Sequence, residues 1–183
     1  MFMTEDSEKK ATRQHLSPGP GKILYHLLNG NLEVAAEEAV DSNYPHLACA
    51  LSTFRYSDRT AYRNQASGDD CFSPIMHWNK TKESKFISED LLKIYLIMAG
   101  EMHTEINGKK IFVNEGLDGL RAFAVFVWYY EPFDAPLKEV FHAFENDLAA
   151  RKATITLKCD MFYELLHLAC DPSYPMEVVL EPT

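Results

Sequence analysis

Apolar residues recur at three- and four-residue spacing from about Lys22 to Cys170, the pattern of helices that each bury one face. The first run covers about Lys22 to Asn29. It puts Leu24, Leu27 and Leu28 on one side and meets a stop signal at Gly30. A second run, about Asn31 to Asp41, places Leu32, Ala35, Ala36, Ala39 and Val40 on a stripe. Glu33, Glu37, Glu38 and Asp41 lie mostly opposite. A stripe made mainly of alanine lets a neighbouring helix come close. Pro45 opens a third helix, where proline costs least, and Leu47, Ala50, Leu51 and Phe54 form its stripe.

Residues 56 to 85 break the period. Polar residues, Gly68 and Pro74 predict a long loop with one short helix near Trp78. Ser88 then caps a helix to about Ala99, lined by Leu91, Ile94, Tyr95 and Met98, with Leu92 and Leu96 on another side and Gly100 as its end. Asn107-Gly108 is a turn signal, fitting a small hairpin or a plain loop. The most apolar helix follows, about Leu117 to Tyr130, stopped by Pro132; being apolar on nearly all sides, it belongs in the centre. Asp134 is placed to cap a helix with the stripe Leu137, Val140, Phe141, Phe144 and Leu148. A last helix spans about Cys159 to Cys170, before a proline-rich exit. No alternating strand series and no βαβ pattern appears. The fold class is all-α: consecutive antiparallel helices stacked like a solenoid over residues 21–183, behind a flexible polar tail at residues 1–20.

Composition narrows the function. The chain has 183 residues, 46% of them apolar, enough for a real core. Its 18 basic against 27 acidic residues give a net charge of −9 and leave no concentrated basic face, so nucleic acid is not the expected partner. The longest strongly apolar run, Ala122 to Tyr130, is about half of what a bilayer crossing needs. Cys49, Cys71, Cys159 and Cys170 form no C-x-x-C pair and read as buried free thiols.

The catalytic signatures sought, G-x-x-x-x-G-K, G-x-G-x-x-G, H-E-x-x-H and G-x-S-x-G, do not occur. One pattern has chemical content: Glu139-x-x-His142 and Glu164-x-x-His167 are two E-x-x-H units on two helices. Three-residue spacing puts carboxylate and imidazole on one helix face. In ferritin-like di-iron proteins two such units converge with one Glu from each of two further helices. Glu37 or Glu38, together with Glu89, would have to supply those carboxylates. Seven histidines among many glutamates make the pattern a chance one, and no metal, cofactor or enzymatic activity is expected. Trp128, Tyr129 and Tyr130 read as core rather than as a binding platform, and the acidic side of the second helix as solvated surface.

Four ordered blocks carry a family likeness. They are Tyr25-His26-Leu27-Leu28-Asn29-Gly30-Asn31 with Ala35-Ala36-Glu37-Glu38-Ala39 and Pro45 to Ser52; Leu92 to Glu101; Leu117-Asp118-Gly119-Leu120-Arg121 with Ala124 to Tyr129; and Phe162 to Leu166 with Leu180 to Thr183. In order and spacing they resemble the ancestral-coatomer-element nucleoporin of the Y-shaped outer-ring complex, the C-terminal product of a self-cleaving precursor. Gly119 departs from the pattern, standing where the family usually has tryptophan. The precursor's cleavage site is absent from this chain, as is the strand insertion that completes the blade of the family's β-propeller partner.

The resemblance implies a structural protein of the nuclear pore at the nuclear envelope, supporting protein and mRNA transport through contacts with other outer-ring nucleoporins. The matched region looks like the crown, which meets a second helical nucleoporin. A vesicle-coat scaffold is the neighbouring alternative, and the di-iron enzyme is the alternative from another class. The family-signature core comprises Leu27, Leu28, Ala36, Leu47, Leu51, Leu96, Ala99, Leu117, Arg121, Trp128 and Tyr129. Because the family continues past the point matched by Glu181-Pro182-Thr183, the chain is expected to be an incomplete unit with an uncovered last helix.

Overall fold

The computed structural model describes residues 19–54, 74–78, 80–81, 83–106, 108–130, 135–150, 161–171 and 173–175. Residues 1–18, Cys71, Asp134, Cys159 and the segment from 176 onward lie outside them, as does most of the stretch read as a loop. The fold is mostly helical: α1 (Pro20–Leu28), α2 (Leu32–Asp41), α3 (Pro45–Thr53), α4 (Glu89–Ala99), α5 (Gly119–Tyr129), α6 (Leu137–Ala150) and α7 (Met161–Cys170). Residues 74–78 make a short helical turn and Glu83–Phe86 a 3-10 turn. The one sheet among the described residues is a hairpin of β1 (His103–Ile106) and β2 (Lys109–Phe112), antiparallel with His103 opposite Phe112 and Ile106 opposite Lys109. Helix α1 begins at Pro20, two residues earlier than the periodicity placed it, because proline's fixed φ suits a first helical turn.

Side-chain caps and left-handed residues set the helix boundaries. Ser88 Oγ accepts from the Leu91 amide, and Asp118 Oδ1 from the Arg121 amide. At the other ends the chain turns through a left-handed residue three times, at Gly30 (φ 73°), Asn43 (φ 62°) and Gly100 (φ 70°). Each closes the same pair of bonds. Asn31 N donates to His26 O and Gly30 N to Leu27 O, and the 43–44 and 100–101 amides do likewise on their own helices. Asparagine tolerates this conformation better than other side-chain-bearing residues, so Asn43 does the work of a glycine.

Consecutive helices pack as neighbours, α1 on α2 and α2 on α3, while α4 returns onto α1. Helix α5 is central, as its composition requires: Ala122, Phe123, Val125, Phe126 and Tyr129 are buried. Its rings meet those of α6 edge-on, with Phe123 and Phe126 both 5.3–5.4 Å from Phe144. Phe141 and Phe144 are wholly buried, whereas Leu137, at the start of the predicted stripe, is exposed. On α2 the alanines do the packing: Ala35 and Ala39 are inaccessible, but Val40, one residue round the helix, is 64% exposed and leaves the predicted stripe.

Candidate functional site

Two polar arrangements tie the helices together. The first is a latch between α5 and the α1–α2 turn. Tyr129 is 2% exposed, and its hydroxyl donates to Leu27 O at 2.9 Å across 102 residues of sequence. That carbonyl also accepts from Gly30 N, so both of its lone pairs are engaged. The next-door ring, Trp128, roofs Gly30 so closely that an added Cβ would stand 3.1 Å from it.

The second is a clasp around α7. The Tyr163 hydroxyl donates to Glu145 Oε1 (3.0 Å), and His167 Nε2 lies 3.4 Å from Glu145 Oε2. Past the helix end, the Ser173 amide and hydroxyl donate to Asp171 Oδ1, which holds that carboxyl below its usual range. The chain thus folds back and stacks Tyr174 on the His167 ring (3.8 Å between centroids), with the Tyr174 hydroxyl donating to Glu164 Oε2 at 2.6 Å.

This geometry takes the di-iron set apart. Glu139 and His142 stand exposed on α6. Glu164 is turned to Tyr174, and His167 to Glu145. Of the auxiliary carboxylates, Glu38 is engaged by Lys22 and Ser42, Glu89 by Lys93 and Lys109, and Glu37 is exposed. Among the described residues no group of three or more His, Cys, Asp or Glu is placed to hold a metal ion. Nor is any helix among them long and apolar enough to cross a membrane. The thiols split: Cys170 is buried, which pushes its pKa up, whereas Cys49, expected inside, is exposed because it lies off the Leu47–Leu51 stripe of α3.

The family model of Nuclear protein 96 (Nup96) matches residues 21–183. The chain belongs to the Nup96 family. It is therefore a nucleoporin, of a class found in the nuclear pore complex. It is 30% identical over 164 residues to the nuclear pore complex protein Nup98-Nup96 of Caenorhabditis elegans, a match covering 87% of this chain and 9% of that protein. It is 27% identical over 132 residues to the nuclear pore complex protein NUP96 of Arabidopsis thaliana, covering 71% and 11%. The chain thus spans about a tenth of the length of these relatives.

Within this Nup96-family chain the signature residues fall into three environments. Leu27, Leu47, Leu51, Leu96 and Tyr129 are buried. Leu28, Ala36, Leu117 and Trp128 are half-buried against that core, as is Tyr130, and Ala99 is half-buried beside the Gly100 turn. Arg121 stands on the surface rather than in the core, because its guanidinium stays hydrated and pairs with Asp118, the cap of its own helix. The latch joins two signature blocks that lie a hundred residues apart, the Leu-Leu-Asn-Gly turn and the Trp-Tyr pair. Gly119 has its own explanation: an added Cβ would lie 2.8 Å from Tyr163 Cγ, so the ring of α7 occupies the space a larger side chain would need.

One helix face in the Nup96-family chain is left open. On α7 Met161 is 56% and Leu165 46% exposed, with exposed Ala169 one turn further on, and among the described residues no charged side chain shares this face. The helix's carboxylate and imidazole, Glu164 and His167, turn into the clasp instead. Sequence reading found neither Tyr174 nor Glu145. A lone tyrosine in a proline-rich exit and a glutamate beside an apolar stripe carry no periodic signal.

Proposed function

We propose that this nucleoporin serves as a structural scaffold element of the outer, Y-shaped ring of the pore, acting through helix–helix contacts rather than catalysis and supporting protein and mRNA transport. Its partners on this reading are other outer-ring nucleoporins, in particular a second helical one at the crown. The observation that carries the proposal is the open α7 face. Apolar side chains at positions 161, 165 and 169 form the four-residue ridge that another helix accepts in its groove. Of the two carboxylate–histidine pairs that would serve chemistry, Glu164 and His167 are spent on internal contacts, while Glu139 and His142 stand exposed on α6.

The test is direct. The chain carrying Met161→Glu and Leu165→Glu is compared with the unaltered chain by light scattering, by hydrophobic-dye binding, and by binding to purified helical outer-ring nucleoporins. The proposal expects the unaltered chain to self-associate or bind dye, to lose both when a cognate nucleoporin is added, and to lose nucleoporin binding on substitution. An unaltered chain that stays monomeric and dye-negative at high concentration, and binds no outer-ring nucleoporin, overturns it.

A further inference from the structure

The clasp sits on the opposite side of α7 from its open face, and its connections run in one direction. Tyr174 belongs to the chain that leaves the helix, yet its side chain turns back onto it: its ring stacks on His167 at an interplanar angle of 20°, and its hydroxyl reaches Glu164. His167 in turn faces α6. Its ring lies 5.1 Å from that of Phe141, and its Nε2 is 3.4 Å from Glu145. Glu145 also receives the hydroxyl of Tyr163, whose ring lies 5.8 Å from Phe141 and roofs Gly119 of α5. His167 is therefore held between an aromatic ring of α6 and one from the exit segment. Glu164, only 7% exposed, sits on a helix whose other side is open.

We propose that Tyr174 is a positioning residue: by clamping His167 and Glu164 it couples the exit segment to the packing of α7 on α6, and so fixes the direction in which the apolar face of α7 points. The physical reason is an imbalance of contacts. Helix α7 has ten residues and, among the described residues, packs on α5 and α6 while Met161 and Leu165 on its other side stay exposed, so polar side-chain bonds add to its orientation. Without Tyr174, Glu164 loses the hydroxyl it is bonded to, and the His167 ring is free to leave Phe141 and Glu145. The whole helix loosens, not the exit alone. The inference builds on the scaffold reading for its functional consequence, but its structural half stands apart.

Amide hydrogen exchange on the full chain separates the two halves. In Tyr174→Ala, exchange across residues 161–170 should rise by about tenfold or more while α4 (residues 89–99) stays unchanged, because loss of a clamp opens a local unit rather than the whole fold. Tyr174→Phe keeps the stack and loses the hydroxyl, so it should fall between. Tyr174→Trp, which also offers a stacking ring without the phenol hydroxyl, should fall between as well. Binding to a purified helical outer-ring nucleoporin is measured on the same variants and should fall in the same order. Exchange that rises only at residues 173–175 in Tyr174→Ala overturns the coupling. Raised exchange throughout α7 with undiminished partner binding leaves the coupling standing and removes the α7 face from the interface.

Discussion

Two glycines lie under aromatic rings, one near each end of the polar architecture, and they are required for different reasons. Gly30 is left-handed (φ 73°) and roofed by Trp128; Gly119 is helical and roofed by Tyr163. At Gly30 backbone conformation and space both exclude a side chain, and the adjoining Leu27 carbonyl is pinned from inside by Tyr129. At Gly119 space alone excludes it, and the ring above belongs to a helix with one side open. The latch ties a buried tyrosine hydroxyl to a backbone carbonyl. The clasp is a side-chain device at the margin, able to relax when perturbed. The α1–α2 turn is thus fixed by a bond to its own backbone, whereas α7 is held by side-chain groups at its margin.

The most severe way to break this contrast is to remove the latch. Tyr129→Ala deletes a buried ring and strands half of a shared carbonyl, and the expected cost is about 3–5 kcal/mol. Trp128→Ala should cost clearly less, because its ring is only half-buried against the core. Denaturant titration of the two variants checks the order, and equal midpoints would contradict it.

A second test asks whether each glycine is held by backbone or by space. Gly30→Ala meets left-handed strain of about 1–2 kcal/mol, which survives if Trp128 is also trimmed. Gly119→Ala meets overpacking of about 1–3 kcal/mol, which vanishes once the ring is gone. In double-mutant cycles Gly119→Ala with Tyr163→Ala should therefore be far from additive. Gly30→Ala with Trp128→Ala should keep a residual penalty that the other pair lacks. Identical coupling in the two cycles would erase the distinction between latch and clasp.

The latch was half legible in the sequence, and the clasp was not. Gly30 and Gly100 were readable as stops because a glycine after an apolar periodic run has one common use. The capping role of Ser88 and the helix-opening role of Pro45 were readable on similar grounds. That Tyr129 reaches Leu27 was not, since nothing in a helical period says which carbonyl a hydroxyl meets across 102 residues. Val40 and Arg121 were misplaced because period fixes an angle round a helix but not how wide its neighbours are. The E-x-x-H pattern was visible and uninformative: it places two groups on one face without saying what that face meets, and here one face meets water and the other a tyrosine.

A smaller effect separates the interior devices from a surface one. The hairpin is tied to α4 by Lys109 and Glu89, and the Lys109 bond, more than Lys93 beside it, holds the Glu89 carboxyl below its ordinary value of 4.5. A depressed folded-state pKa contributes stability that is present above the unfolded value and lost as pH falls through the folded one. The stability difference between the unaltered chain and Glu89→Gln should therefore be largest above pH 4.5 and close as acid protonates Glu89. Lys109 is exposed and Glu89 partly so, and the difference should therefore stay below about 1 kcal/mol and shrink in high salt. Urea titrations at several pH values and two salt concentrations measure it. A difference that widens on acidification would show that the pair is not the cause.

The smallest expected effect comes from the two histidines that sequence treats as equivalent. Each closes an E-x-x-H unit, but His142 is exposed on α6, while His167 lies between Phe141 and Tyr174 with Glu145 at its Nε2. A solvated side chain with its neighbours intact gives up little on truncation, so His142→Ala should shift stability by no more than about 0.5 kcal/mol in either direction. His167→Ala removes a ring packed on two others and leaves the Glu145 and Glu164 contacts unsupported, so its loss should exceed that bound. The pair is a control on the clasp as much as a pair of variants. They share residue type, motif position and an address on the α6–α7 side of the molecule, and differ in what surrounds the ring. Measured by denaturant midpoint at one pH, equal shifts for the two would mean that the stack of Tyr174 on His167 contributes nothing to holding α7.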